Sequence, residues 1–126
     1  MNIKTVWAVY FSGTGTTEKV ATTLAKDLAE RLGAGYDTYC FNLPQAREKD
    51  LSFGPEDLVV LGTPVYAGRV PNLLMPYVRD HIKGNGTLGV PVVLYGNRNY
   101  DDGLIELRNL MRDNGFMPVA AGAFVG

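Results

Sequence analysis

The chain has 126 residues, of which 46% are hydrophobic and 20% charged, and its formal net charge is -1. That length fits one domain over residues 1–126, and the balanced charge argues against a surface that binds nucleic acid through bulk electrostatics. The single cysteine, Cys40, excludes an intrachain disulfide, and its apolar, alternating surroundings predict inert packing. No stretch reaches the roughly 20 apolar residues of a membrane span, and the N-terminus lacks a signal pattern, so we expect a cytoplasmic protein without membrane or nucleic-acid partners.

Hydrophobic periodicity divides the chain into alternating strands and helices. The first segment is rich in valine and aromatic residues and ends at a Ser/Gly/Thr cluster; after it, valine or leucine recurs every four residues up to position 32, with alanines alongside. That spacing indicates one face of an amphipathic helix, which Gly33 ends. The predicted strands cover residues 3–11, 36–41, 57–62, 90–95 and 117–124, and the predicted helices cover 17–32, 73–83 and 102–114. Residues 42–56 are polar, contain two prolines and predict a long connection with little helix.

This alternation is typical of βαβ units, so we expect an α/β fold with a doubly wound parallel sheet and helices on both faces. Such sheets bind ligands beyond the carboxyl ends of their strands. Three loops leave strand ends of this kind, at residues 12–17, 63–71 and 96–102, and they are the least ordinary stretches of the sequence.

The first loop combines glycines with four hydroxyl side chains at the start of a helix. Its residues are Ser12, Gly13, Thr14, Gly15, Thr16 and Thr17. A helix start offers unpaired N–H groups and the positive end of a dipole, so the loop predicts a site for a phosphate monoester. The lysine of a P-loop is missing, and Glu18 stands at the last glycine of the dinucleotide fingerprint, which argues against both of those sites. The alternative is a helix-capping turn that binds nothing.

The same loop resembles the FMN phosphate loop of flavodoxins. The pattern Ser/Thr-x-Thr-Gly-x-Thr is matched by Ser12, Thr14, Gly15 and Thr17. The resemblance extends over residues 3–124 and implies FMN as cofactor and a five-stranded sheet in the order 2-1-3-4-5. The segments GTPVYAGRVPN and YGNRNYDD are similar to the flavodoxin domain of bacterial flavodoxin–ferredoxin fusion proteins, which implies a ferredoxin-type iron–sulfur domain among the redox partners.

The resemblance also implies that the second and third loops hold the flavin ring. The residues concerned are Thr63, Pro64, Val65, Tyr66 and Gly68 in the second loop, and Gly96, Asn97, Arg98, Asn99 and Tyr100 in the third. Tyr100 falls where the family has a ring-stacking tyrosine and Tyr66 where an aromatic is common, although each could instead cover a core edge. Gly68 resembles a glycine whose peptide flips as the flavin gains its first electron, and a plain turn glycine is the alternative.

The chain departs from the family in two respects: it is nearly neutral, whereas flavodoxins are strongly acidic, and it stops directly after the fifth strand. The family has one more helix there, so we expect a truncated domain whose C-terminal helix is absent. The sheet face left open would suit a second copy of the chain in a homodimer.

The leading functional hypothesis is an FMN-binding carrier that shuttles electrons between redox partner proteins, with the flavin supplying the chemistry and the chain supplying no catalytic residue. One alternative is an NAD(P)H- or quinone-linked FMN reductase, for which no distinct motif is visible. The other alternative is a module that binds a different phosphate ligand without redox chemistry.

Overall fold

The computed structural model describes residues 2–13, 15–65, 70–95 and 101–125. Strands and helices alternate along them. The elements are β1 (Thr5–Tyr10), α1 (Thr16–Leu32), β2 (Gly35–Cys40), a 3₁₀-helix (Pro44–Glu48), β3 (Leu51–Ser52), β4 (Asp57–Val65), α2 (Met75–His81), β5 (Ile82–Lys83), β6 (Thr87–Tyr95), α3 (Asp101–Asp113), β7 (Phe116–Pro118) and β8 (Gly122–Val125).

The main sheet is parallel and confirms the predicted fold class. Its order is β2-β1-β4-β6-β7, and β8 also pairs with β6. The two-residue strands β3 and β5 pair only with each other in the described residues. When they are set aside and β7 and β8 are taken as one interrupted edge strand, the order is 2-1-3-4-5. One core lies between the sheet and α1, and the other lies between the sheet and the pair α2 and α3. None of the helices in the described ranges is long and apolar enough to cross a lipid bilayer.

The predicted apolar face of α1 packs against the sheet, and within it the alanine row is the more deeply buried. Thr17 and the alanines at 21, 25 and 29 are buried, whereas the leucine row is only partly buried and Leu32 is 48% exposed. Small side chains let the helix approach the sheet closely. A Cβ placed on Gly62 of β4 would lie 3.1 Å from Cγ2 of Thr17 and 3.2 Å from Cβ of Ala21. The alanine row therefore fits against β4 because position 62 is glycine.

Three strands differ by three residues or more from their predicted limits. β6 begins at Thr87, three residues before its predicted start. β4 continues to Val65 because its residues stay paired with β6 through Val65 and Tyr95, although Gly62 and Pro64 had indicated a loop. The last strand is divided: Gly89 pairs with Pro118, but Val92 pairs with Gly122, so one extra residue lies between β7 and β8. Such a bulge changes which side chains face each side of the sheet.

Two apolar side chains, those of Cys40 and Phe124, are exposed to solvent. Cys40, which was predicted to be packed, is exposed, since β2 is the edge strand of the sheet formed by the described residues. Phe124 of β8 is 39% exposed and, with Val20 and Leu24 of α1, lines an open apolar groove of about 490 Å³. This groove lies at the sheet face that was predicted to be uncovered.

Candidate functional site

The three predicted loops leave one edge of the sheet. The strands β1, β4 and β6 are neighbours, with Tyr10 paired to Gly62 and Val65 paired to Tyr95. The carboxyl ends of these strands therefore lie side by side. Thr63, Pro64 and Val65, predicted to be loop residues, are the last three residues of β4 and are buried. Eight predicted ligands lie outside the described residues, so their contacts stay predictions: Thr14, Tyr66, Gly68, Gly96, Asn97, Arg98, Asn99 and Tyr100.

The first loop leads directly into the N-terminus of α1. Gly15 precedes the helix with a left-handed backbone, φ 88°, a conformation that favours glycine. Having no side chain, it supplies no capping hydrogen bond to the first turn of the helix, which begins with Thr16 and the buried Thr17. When no side chain caps a helix start, its N–H donors and its positive dipole end are available to a ligand bound in front of the helix. This end of α1 is therefore suited to an anion.

Two hydroxyl groups at this edge are buried without a hydrogen-bond partner. Ser12 is 5% exposed and Thr63 is 0% exposed. In the described part of the chain, neither Oγ of Ser12 nor Oγ1 of Thr63 has a partner; the third such side-chain atom is Oδ1 of Asn109 on α3. The two hydroxyls belong to neighbouring strand ends, because the N–H of Phe11 donates to the carbonyl of Gly62 at 3.1 Å.

An unpartnered buried hydroxyl costs on the order of 1–3 kcal/mol, and this penalty is relieved when a ligand supplies the missing partner. Phosphate oxygens are acceptors for hydroxyl donors and for the N–H groups of a helix start. Ser12 and the first turn of α1 therefore fit the phosphate of FMN. Strand alternation places Thr63 on the sheet face of Leu61 and Val65, opposite α1, so its hydroxyl is available to another part of the ligand.

Sequence reasoning missed Asn42, which lies two residues past the end of β2 and contacts the first loop. The N–H of Ser12 donates to Oδ1 of Asn42 at 2.8 Å, and Nδ2 of Asn42 donates to the carbonyl of Ser12 at 2.6 Å. Arg47 is held nearby, since its Nη1 donates to the carbonyls of Phe41 and Asn42 at 2.9 and 2.7 Å. The sequence carried no signal for this contact beyond the strand order, which places the end of β2 beside the end of β1.

A second side-chain contact joins β1 to the first turn of α1. The hydroxyl of Tyr10 donates to Oε2 of Glu18 at 3.1 Å. Burial, together with the hydrogen bond and the charge of Glu18, raises the pKa of Tyr10 to about 12. Tyr10 therefore remains a neutral hydrogen-bond donor near pH 7. It binds one oxygen of the Glu18 carboxylate, which follows the first loop in sequence.

Solved structures of similar fold come from flavodoxin-like proteins. A flavodoxin of Streptococcus pneumoniae is 19% identical, with a TM-score of 0.69 over 96% of this chain and 83% of that chain. A candidate flavoprotein of Bacteroides uniformis is 17% identical, with a TM-score of 0.61 over 98% of this chain and 90% of that chain. Another from Bacteroides eggerthii is 18% identical, with a TM-score of 0.57 over 98% and 88%. At these identities the likeness shows the fold.

The sequence itself gives the family. None of the curated proteins matches this chain. The family model described as a flavodoxin domain matches residues 8–110, which include the second half of β1, the first loop and α1 at one end and most of α3 at the other. The match covers most of the chain, and the chain therefore belongs to the flavodoxin domain family.

Proposed function

We propose that this protein binds FMN noncovalently and carries electrons between redox proteins. The observation that supports it best is the buried hydroxyl of Ser12, which has no partner in the described residues and lies next to the uncapped start of α1. The hydroxyl of Thr63, at the neighbouring strand end, is a second such group. Bound FMN would supply the one- and two-electron chemistry, and the chain would bind its phosphate and orient its ring.

The phosphate end of the site depends on neutral donors. The loop contains no lysine, so a dianionic phosphate would be held by hydroxyl and N–H groups, each charge-assisted bond contributing about 1.5–3 kcal/mol. In this proposal the second and third loops orient the ring, with Tyr100 stacked on one face and Tyr66 near the other.

Absorbance spectra of the purified protein, with and without added FMN, test the proposal first. We expect flavin bands that stay with the protein through gel filtration, and riboflavin bound at least about tenfold more weakly than FMN, because it lacks the phosphate. Equal affinity for the two flavins would refute the phosphate assignment. A colourless protein that takes up no flavin would favour a module without redox chemistry.

The substitution Ser12→Ala separates the site from the fold. Removing an unpartnered buried hydroxyl should leave the free energy of unfolding unchanged within about 0.5 kcal/mol, but it should weaken FMN at least about tenfold. Titration of flavin fluorescence gives the affinity, and urea unfolding without flavin gives the stability. An affinity equal to that of the wild type would remove Ser12 from the site.

Reduction kinetics distinguish a carrier from a reductase. A carrier should be reduced slowly by NADH or NADPH alone and rapidly when a partner protein is added, and a ferredoxin-type iron–sulfur protein is the partner that we propose to try first. Rapid reduction by a nicotinamide nucleotide without a partner would favour the enzyme.

We also propose that a second copy of the chain covers the apolar groove between α1 and β8. The groove walls are mostly carbon, from Val20, Leu24 and Phe124, with Lys19 and Asp27 at its margins. Opposite charges beside an apolar strip suit a two-fold contact, in which Lys19 of each copy can meet Asp27 of the other, a carboxylate that already pairs with Arg31 of its own helix.

A further inference from the structure

We infer that Asn42 is a positioning residue for phosphate recognition: its side-chain amide holds the main chain of Ser12, and Arg47 holds Asn42. The inference rests on the proposed function, since the ligand it serves is the phosphate of FMN. Asn42 does not belong to the first loop and lies 30 positions from Ser12 in sequence.

The side chain of Asn42 continues the pairing of β1 with β2 beyond the point where main-chain bonds end. The N–H of Phe41 donates to the carbonyl of Tyr10 at 2.9 Å. Two residues further along β1, the amide of Asn42 replaces a neighbouring strand: it accepts from the N–H of Ser12 at 2.8 Å and donates to its carbonyl at 2.6 Å. A carboxamide has one acceptor and one donor group in the geometry of a peptide bond, so it can satisfy both groups of a single residue.

Arg47 fixes the residue that makes these bonds. Its Nη1 donates to the carbonyls of Phe41 and Asn42, so the turn after β2 is closed around Asn42. Its guanidinium also lies 5.9 Å from the ring centroid of Phe11, the residue immediately before Ser12. Arg47 therefore contacts both segments of the Ser12–Asn42 pair: the main chain of Phe41 and Asn42, and the ring of Phe11.

The hydrogen bonds between Asn42 and Ser12 matter for ligand binding because Ser12 is the residue with which the chain passes from β1 into the glycine-containing part of the first loop. With its N–H and carbonyl both held, the backbone of Ser12 is restrained at the residue that carries the buried hydroxyl. Without the amide, the loop would have to be ordered by the phosphate when it binds, and ordering a segment on binding lowers affinity.

Two variants and one control test this role. Asn42→Ala removes both bonds, and Asn42→Asp keeps the acceptor, loses the donor and adds a negative charge. The control is Asn85→Ala, an exposed asparagine between β5 and β6, at the opposite edge of the sheet. For each protein, the dissociation constants of FMN and riboflavin are measured by fluorescence titration, and exchange of the Ser12 amide hydrogen is followed by NMR without ligand.

We expect Asn42→Ala to weaken FMN at least about tenfold and riboflavin less than about threefold, so that the preference for the phosphate narrows. Asn42→Asp should weaken FMN at least as much, because its charge repels the phosphate. Arg47→Ala, which acts through Asn42, should weaken FMN about threefold. The Asn85→Ala control should match the wild type.

An unchanged ratio of riboflavin to FMN dissociation constants in Asn42→Ala and Asn42→Asp would overturn the inference, and so would an equal loss for both flavins, which a merely structural role would produce. If Asn42→Ala does not fold, exchange of the Ser12 amide hydrogen in Asn42→Asp decides instead, because the added charge alone would weaken FMN. If the wild type binds no flavin, the proposed function fails, but amide exchange still tests whether Asn42 holds the main chain of Ser12. Exchange at Ser12 at least about tenfold faster in Asn42→Ala than in Asn85→Ala would support it, and equal rates would overturn it.

Discussion

Buried polar side chains are paired differently at the two ends of the parallel strands, which form the amino edge and the carboxyl edge of the sheet. At the amino edge, Thr87 is fully buried, and its hydroxyl donates to the carbonyl of Gly54 at 2.8 Å and accepts from the N–H of Asn85 at 3.1 Å. At the carboxyl edge, Thr63 is equally buried, and its hydroxyl has no partner in the described residues.

Asparagine side chains also serve different purposes at the two edges. At the amino edge, Nδ2 of Asn114 lies 2.8, 3.0 and 2.9 Å from the carbonyls of Val78, Arg79 and Ile82, so it joins the end of α3 to the end of α2. At the carboxyl edge, Asn42 orders a loop that ends beside the open start of α1.

This difference indicates the edge at which buried polar side chains lack a partner within the described part of the chain. Buried polar groups are nearly always paired in native proteins, and the exceptions tend to mark sites that another molecule completes. At the amino edge the buried hydroxyl of Thr87 is paired, whereas at the carboxyl edge the hydroxyls of Ser12 and Thr63 have no partner in the described residues, at the position where doubly wound sheets bind ligands. Four predictions test this contrast, from the largest expected effect to the smallest.

Asn114→Ala should give the largest loss of stability, about 2–3 kcal/mol, because it removes the side-chain hydrogen bonds that join the end of α3 to the end of α2 and takes the side-chain donor from the carbonyl of Ile82. Urea unfolding of the flavin-free protein measures the loss, and Asn85→Ala is the control. FMN affinity should be unchanged in the folded protein. A loss below about 0.5 kcal/mol would mean that water satisfies these carbonyls equally well.

Thr87→Val and Thr63→Val make the same chemical change at the two edges. Thr87→Val should lower the free energy of unfolding by about 1–3 kcal/mol, because the carbonyl of Gly54 loses its hydroxyl donor. Thr63→Val should leave it unchanged or raise it by up to about 1 kcal/mol. Only Thr63→Val should weaken FMN. Equal destabilisation of the flavin-free protein by the two substitutions would break the contrast between the edges.

Tyr100→Ala extends the contrast to the third loop. If Tyr100 stacks on the flavin, its removal should restore flavin emission and weaken FMN by roughly 0.5–1.5 kcal/mol beyond the lost contact area. Fluorescence of the FMN-bound protein measures both effects. Unchanged emission would place the ring elsewhere, and recovery in Tyr66→Ala alone would reverse the assigned order of the two tyrosines.

Phe124→Glu should have the smallest effect on the folded monomer, since this side chain is already 39% exposed. It should nevertheless abolish self-association, because it puts a charge into the apolar groove of both copies. Sedimentation across a concentration series compares the variant with the wild type, and Val119→Glu, at another exposed apolar position outside the groove, is the control. A wild type that stays monomeric at high concentration would refute the dimer.

Much of the fold was predictable from the sequence because the signals are local. The 3.6-residue period of α1, Gly33 at its end and the apolar runs of β1 and β6 each depend on neighbouring residues, and the strand–loop–helix order placed Ser12 and Thr17 at a ligand-binding edge. The start of α3 was predicted to within one residue for the same reason, since Asp101 and Asp102 favour a helix N-terminus.

The tertiary structure alone decided features that depend on contacts distant in sequence. The row of α1 that faces the sheet follows from the fit of Thr17 and Ala21 to Gly62, more than 40 positions away, and not from which row is most hydrophobic. The length of β4 follows from its pairing with β6, and the bulge before Gly122 sets which side of the sheet Phe124 faces. Asn42 could be linked to Ser12 only once β2 lay beside β1, because a side-chain hydrogen bond depends on distance in space, which local propensity does not encode.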